Sequence, residues 1–387
     1  QLYRGAKPVM WSPVEKTALA EAEVEYEDVV STQIDVAFEI VESPIPELVG
    51  AHAVVWTTTP WTIPVNQAIA YGEDIEYLVF RVVAALHEGP EISPAFPHVG
   101  KTLLVAADLL DEFQTRTDVV AGGGDYRRTI RGSELAGTVA RHPMHRLGGF
   151  FARPRPFLPG EHVTTEAGTG LVHMAPDHGE EDFLVCKAAG IDPVFAVTDD
   201  GRYRDDWEWL GGQGSVINAK FNAPDGPICS DLREAGALLA ASQDFRHSYP
   251  HSWRSKAKII YRCTPQWFAP MDQPVETLGG RTLRETALQA IDDTRWVPGK
   301  SKNRIRAMVE GRPDWVLSRQ RAWGVPIALY VNRKTGEYLK DPEVNARILN
   351  AFREGGADAW FGADHQALLG NGYSLDEWEP VTDILDV

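Results

Sequence analysis

The run Trp56-Thr57-Thr58-Thr59-Pro60-Trp61-Thr62-Ile63-Pro64-Val65-Asn66 constrains this chain more than any other. Three consecutive β-branched threonines have restricted side-chain rotation and favour extended backbone. The prolines that follow cannot donate to a ladder. The local reading is an edge strand running into a turn. The same run offers three hydroxyls, each a donor and an acceptor, and so a rigid polar wall able to hold a small polar ligand in one orientation.

The remainder reads as mixed strand and helix. Residues 23–30 alternate as a strand does, and strand-like runs recur at 34–41, 51–57, 76–85, 102–106, 170–174 and 192–197, separated by Gly and Pro. Residues 15–22, 107–115 and 179–189 have helical composition, while 86–100 and 122–125 read as loops. Without regular βαβ alternation, an α/β chain of the α+β type is expected, with a barrel-like sheet and flanking helices up to about residue 245. Residues 246–272 are aromatic and basic. Residues 281–293 form a helix with Leu283, Thr286, Ala287, Ala290 and Ile291 on one face, and 343–356 form another, stopped at Gly355-Gly356. The expected division is a stem over 1–26, the main domain over 27–245, and a return stem with a smaller mixed region over 246–387. The chain closes on the apolar, strand-like Asp383-Ile384-Leu385-Asp386-Val387, so a piece of a longer protein is expected.

With 387 residues there is room for two or more domains and a sizeable core. Hydrophobic content of 43% and charged content of 24% are those of an ordinary globular protein. No apolar run approaches the roughly 20 residues a bilayer requires, and the first residues carry no signal-peptide pattern, so no membrane association is expected. Cys186, Cys229 and Cys263 lie far apart without a CxxC pair. That argues against a cysteine zinc site or a disulfide framework and for a cytoplasmic setting. The net charge of −17 has the wrong sign for binding nucleic acid over the whole surface. Two basic clusters stand out locally: Arg127, Arg128, Arg131, Arg141 and Arg146, then Lys300, Lys302, Arg304, Arg306, Arg312, Arg319 and Arg321. Each is either a binding patch or a solvated face.

A second constellation spans residues 164–183, with Gly168-Thr169-Gly170, His173, Asp177-His178 and Glu180-Glu181-Asp182. Glycine allows backbone N–H groups to approach a ligand closely. His173 ends a strand; it is either a core histidine or a site residue. Asp182 lies in the first turn of the next helix, where an acid is favoured by the helix dipole alone. A metal set of His162, His173 and His178 is a poor fit, because Pro176 separates the last two and they cannot share a helix face. There is no GxSxG elbow for a serine nucleophile.

Together these two segments resemble the editing domain of the isoleucyl members of the class I aminoacyl-tRNA synthetases. WTTTPWTIPVN and GTGLVHMAPDHGEEDF are similar to that family's two editing signatures, in the same order and at similar separation. Gly5-Ala-Lys-Pro-Val-Met-Trp11 resembles the lead into the editing insertion. His251-Ser-Trp-Arg254, Thr264-Pro-Gln-Trp-Phe268 and Asp314-Trp-Val-Leu-Ser-Arg-Gln-Arg-Ala-Trp-Gly-Val-Pro-Ile327 resemble the return toward the catalytic domain. Valyl and leucyl members carry a TTRP-type sequence where this chain has Thr58-Thr59-Pro60-Trp61. The ATP-site signatures HIGH and KMSKS are absent, so no amino-acid activation is expected and no cofactor is expected in this piece, although the parent family uses ATP and Mg. Met174 and Asp177 stand where relatives have smaller residues, and Met10-Trp11-Ser12 replaces a Cys-bearing segment of some relatives.

Isoleucine and valine differ by one methylene, which a hydrophobic pocket resolves by only about 1–3 kcal/mol; this amino-acid pair is the standard worked case of that limit. The resemblance implies a second, smaller pocket that hydrolyses valine mischarged onto tRNA(Ile), in a monomer that meets the tRNA acceptor end. Asp182 would bind the α-ammonium, His173 would limit size, and Thr58 and Thr59 would lie near the ester and its water. Trp56, Thr57, Thr62 and Asn66 would line or orient the site, with Gly168, Thr169 and Gly170 against the terminal adenosine. The alternatives are a non-catalytic module that binds the acceptor end and a metal-dependent hydrolase.

Overall fold

The computed structural model describes residues 2–87, 96–124 and 127–385. Residues 88–95 of the expected 86–100 loop, Asp125 of the 122–125 loop and the final Asp386-Val387 lie outside them. The chain divides into two units, one of Gln1–Val9, Lys16–Ala20 and Thr264–Val387, the other of Met10–Glu15 and Glu21–Cys263. The sequence-derived boundaries at 26/27 and 245/246 fall inside two strands that pair with each other along most of their length, Val24–Glu42 and Leu238–Ser252.

The chain opens with strands β1 (Tyr3–Ser12) and β2 (Thr17–Ala18). β2 lies where residues 15–22 were expected to be helical. Gln320 overrides that composition: its Oε1 accepts the Ala18 N–H at 3.1 Å, and its own N–H reaches Thr17 Oγ1 at 3.0 Å.

The larger unit is built on one mixed sheet of eleven strands. They are β3 (Val24–Glu42), β4 (His52–Thr57), β5 (Ala68–Tyr71), β6 (Glu76–Ala85), β7 (Thr102–Ala106), β8 (Val119–Ala121), β9 (Arg127–Arg131), β10 (Val139–Arg141), β11 (Pro154–Pro159), β12 (Leu171–Met174) and β13 (Leu238–Ser252). The path runs β12-β5-β11-β10-β3-β4-β7-β6-β8, with β13 also on β3 and β9 also on β6. β12, at one end of the path, packs back against β4 near its middle, which gives the sheet its barrel-like curl. β4 is therefore not the edge strand expected from its threonines. It sits between β3, antiparallel, and β7, parallel. Residues 192–197 form no strand; Val197 makes one isolated bridge to Tyr203, and the Asp177 carboxylate takes the N–H groups of Val194 and Phe195 at 2.9 and 2.6 Å.

Helices α1 (Leu110–Thr117), α2 (Glu180–Ala188) and α3 (Pro227–Glu234) flank the sheet. Leu78, Phe80, Leu103, Val105, Leu110 and Phe113 join α1 to the sheet in one core. Complete burial of each such side chain contributes about 1.5–3 kcal/mol. A second core joins Ala68, Ala70 and Met174 to Cys186 of α2, and so fixes the helix that carries Asp182.

In the smaller unit, β14 (Ile260–Ala269) and β15 (Trp315–Val316) complete a sheet ordered β15-β14-β1-β2. Its helices include α4 (Leu283–Asp293), α5 (Ser301–Glu310) and α6 (Pro342–Gly355). Thr282 and Glu285 form a capping box on α4, and Asp341 caps α6 ahead of Pro342. Of the face expected on α4, Ile291 is buried and Ala290 is exposed. No helix among the described residues is long and apolar enough to cross a membrane.

Candidate functional site

The turn after β4 is set by its prolines. Pro60 opens a 3₁₀ turn over Pro60–Val65, at a position where a missing N–H costs nothing. The Thr59 N–H donates to Thr57 Oγ1 at 3.1 Å, and those two hydroxyls are also 3.1 Å apart. The Thr62 hydroxyl donates to the Thr59 carbonyl at 2.8 Å and lies 3.4 Å from Thr59 Oγ1. Two distant residues pin the turn: Asn222 Oδ1 accepts the Trp61 N–H at 3.2 Å, and the buried Tyr203 hydroxyl donates to the Trp61 carbonyl. Sequence reasoning missed both, since no local pattern ties residue 203 or 222 to residue 61.

β12 delivers His173 to this turn, with Nε2 3.0 Å from Thr62 Oγ1. The one Thr62 proton is committed to a carbonyl, so Nε2 carries the ring proton and donates; this tautomer follows from the network. Nδ1 is then an unprotonated acceptor, buried and without a partner among the described residues. Burial, reinforced by His178, pushes the ring's pKa down to about 4, so it is neutral at pH 7. Asn66 is completely buried; its amide donates to the Ala68 carbonyl at 2.8 Å, and its Oδ1 has no partner among the described residues. With His178 Nε2 these make three buried acceptors without partners among the described residues, more than a close-packed core usually leaves in one region.

Thr58 differs from its neighbours. Its hydroxyl enters no hydrogen bond among the described residues, and it lines a small cleft open to solvent, together with Thr59, Pro60, Trp61, Asn222, Tyr249 and Lys258. His173 and Asp182 do not line that cleft. The structure thus joins Thr57, Thr59, Thr62 and His173 in one network and places Thr58 and Thr59 on open space.

Asp182 is the third residue of α2 and is half-buried, not exposed. Its carboxylate turns back to accept the Ala175 N–H at 2.8 Å, and burial raises its pKa. Gly168, Thr169 and Gly170 form the approach to β12, and each carbonyl has a protein donor: Arg116 at 3.0 Å, the Ala106 N–H at 2.7 Å and the Tyr77 hydroxyl at 2.6 Å. The Thr169 hydroxyl is buried and donates to the Leu171 carbonyl. Trp56 donates from its indole to Gln33 at 3.0 Å, and the Arg116 guanidinium lies 5.8 Å from its ring. Arg116 also forks onto buried Asp35 at 2.8 and 2.9 Å, tying the glycine loop to β3; sequence reasoning missed this pair as well.

His178 is tied down through one ring nitrogen only, its Nε2 being buried without a partner among the described residues. Nδ1 donates to the Tyr261 carbonyl at 2.7 Å, and the ring stands edge-on to Trp61 at 4.7 Å. Among the described residues no group of three or more His, Cys, Asp or Glu could hold a metal ion. Both basic clusters are partly neutralised. Arg128, Arg131 and Arg141 pair with Glu47, Asp74 and Glu39, while Lys302 and Arg306 share Asp292.

The family model described as tRNA synthetases class I (I, L, M and V) matches residues 1–387. Isoleucine–tRNA ligase of Zymomonas mobilis is 65% identical over 391 residues, covering 100% of this chain and 39% of that protein. The Gluconobacter oxydans protein of the same name is 50% identical over 398 residues, with 100% and 39% covered, and that of Caulobacter vibrioides 48% over 394 residues, with 100% and 40% covered. The chain thus spans about two fifths of the length of these relatives. Among solved structures, GlLeuRS-CP1 aligns at 12% identity and a TM-score of 0.30, over 42% of this chain and 70% of that one. The P. falciparum cytosolic leucyl-tRNA synthetase editing domain aligns at 12% identity and a TM-score of 0.26, over 34% and 44%.

Proposed function

We propose, from the premise that this chain belongs to the class I tRNA synthetases and matches their isoleucine type along its whole length, that it carries a proofreading centre which hydrolyses valine mischarged onto tRNA(Ile). The observation that supports this reading best is the network Thr57–Thr59–Thr62–His173, which fixes a neutral imidazole against a threonine wall. A rigid wall of this kind can set a size limit, as discrimination of valine from isoleucine requires.

In this reading Thr58, whose hydroxyl is uncommitted, meets the ester or its water, and Thr59 stands beside it. His173 limits size and offers Nδ1 as an acceptor. Asp182 receives the α-ammonium through a charge-assisted hydrogen bond. Trp56, Asn66 and the 168–170 loop hold the site's shape around the terminal adenosine. No covalent nucleophile is invoked. Water adds to the ester carbonyl, the tetrahedral oxyanion collapses, and the ribose oxygen leaves and takes a proton while valine departs as the acid. Neutral His173 cannot serve as the proton donor at pH 7. Ligation of isoleucine with ATP and Mg belongs to the whole protein and is a proposal for it.

Single-turnover deacylation of valyl-tRNA(Ile) by this chain, with isoleucyl-tRNA(Ile) as control, tests the reading. Hydrolysis of the valyl ester alone is the expected result. RNA binding without hydrolysis favours the non-catalytic module, and activity lost to a chelator favours a metal-dependent hydrolase.

A further inference from the structure

The cleft beside Thr58 and Thr59 contains one charged lining side chain, Lys258. Its ammonium has no hydrogen bond and no carboxylate partner among the described residues. It lies 5.1 Å from the centre of the Tyr249 ring. Tyr249 is itself held by its hydroxyl, which donates to the Ile259 carbonyl at 3.1 Å, and an isolated bridge pairs Lys258 with His251. The lysine is half-buried, and burial alone pulls its pKa down. That setting contrasts with the paired arginines of the two basic clusters. In a chain of net charge −17, a lone, partly desolvated cation inside a cleft marks a local attractor for an anion.

We infer that Lys258 is a phosphate-binding residue of the threonine cleft, and that it takes the phosphodiester next to the terminal nucleotide of the tRNA acceptor end. This rests on the proofreading reading for the identity of the RNA, but not for the presence of an anion subsite. The cleft is small and open to solvent, so it has room for an anionic group rather than for a whole enclosed nucleotide. Thr58, Asn222 and the ring of Trp61 border the same space, so the terminal nucleotide would lie along the mouth of the cleft with its phosphate toward the lysine. A phosphate contact positions an RNA without reading its sequence. The subsite would therefore place any acceptor end against the wall and leave discrimination to the amino-acid pocket.

The test is equilibrium binding of an acceptor-stem RNA minihelix with a single-stranded 3′ end, by fluorescence anisotropy over a salt series, using the full chain. Lys258→Met is expected to weaken binding about tenfold, the scale of one lost charge-assisted hydrogen bond. It should also lower the slope of log K against log salt by about 1. Lys258→Arg should restore both. A minihelix with a neutral methylphosphonate at the last linkage should lose affinity for the unaltered chain and lose no more for Lys258→Met. An unchanged salt slope in Lys258→Met, or equal losses from the neutral linkage in both proteins, overturns the inference. Lys258→Gln repeats the measurement if the methionine variant fails to fold. Binding through Lys258 without valyl-tRNA hydrolysis sinks the proofreading reading and keeps the phosphate subsite; hydrolysis with a Lys258-independent slope does the reverse.

Discussion

In the proposed reading Asp182 carries two duties, which substitution can separate. Its carboxylate accepts the Ala175 N–H at 2.8 Å and so closes the turn between β12 and α2. Removing that acceptor leaves a partly buried N–H unpaired, at about 1–3 kcal/mol. Asp182→Ala is therefore expected to lower the melting temperature as well as abolish hydrolysis of valyl-tRNA. Asp182→Asn keeps an oxygen for Ala175 and loses only the charge. It should melt close to the unaltered protein and still fail to hydrolyse, and a fully active Asp182→Asn would end the ammonium role. His173 poses a different question, because its ring fills space and also donates to Thr62. His173→Ala should widen the pocket and allow attack on isoleucyl-tRNA. If a deacylation assay finds isoleucyl-tRNA still spared, another side chain sets the size limit.

The 168–170 loop illustrates how an element can resemble a ligand cradle and be explained largely by packing. Gly170 has φ +72°, and a Cβ there would fall 2.4 Å from Ala106 Cβ; at Gly168, φ is +85° and the nearest clash is the Trp56 ring at 3.0 Å. Gly170→Ala is expected to cost about 2–5 kcal/mol, combining backbone strain with overpacking against β7. Chemical denaturation would read this directly, and a loss under 1 kcal/mol would mean that the loop yields easily. The glycines were legible in sequence, but not the neighbours that require them, because Ala106 and Trp56 lie 64 and 112 residues away in the chain. The same limit applies to strands. Apolar, β-branched and aromatic runs such as 76–85 and 102–106 are legible as strands and coincide with β6 and β7. β13 was overlooked although Phe245, His247, Tyr249 and His251 alternate along it, each ring 5.3–6.0 Å from the next; aromatic and basic composition masked the period of two. Thr58, Thr59 and His173 could be singled out from sequence motifs, whereas Lys258, Arg116, Asp35, Tyr203 and Asn222 depend on pairings that only the fold creates.

At the scale of the whole molecule, the buried histidines predict a fold that loses stability in acid. His52, His98, His142, His173, His178, His247 and His365 all have pKa values held below the ordinary 6.5, with burial the largest cause in each. His98 and His173, both nearly inaccessible, are pushed to about 4. In the unfolded chain these rings take up protons near pH 6.5, while in the folded chain they resist down to about 4. Between those limits the unfolded state binds more protons, so stability is present above pH 6.5 and is lost as pH falls. For His98 and His173 the loss is on the order of 2 kcal/mol each at pH 5. Carboxyls raised by burial, Asp35, Asp182 and Asp383, work in the opposite direction. Stability measured by denaturant titration should therefore fall steeply from pH 6.5 to 5. His98→Gln lies outside the threonine site and donates to the Leu238 carbonyl in the parent, so it tests the origin of the slope without touching the wall. The variant should have a shallower decline across the same interval. An identical decline would show that His98 is not one of the neutral buried rings that set it.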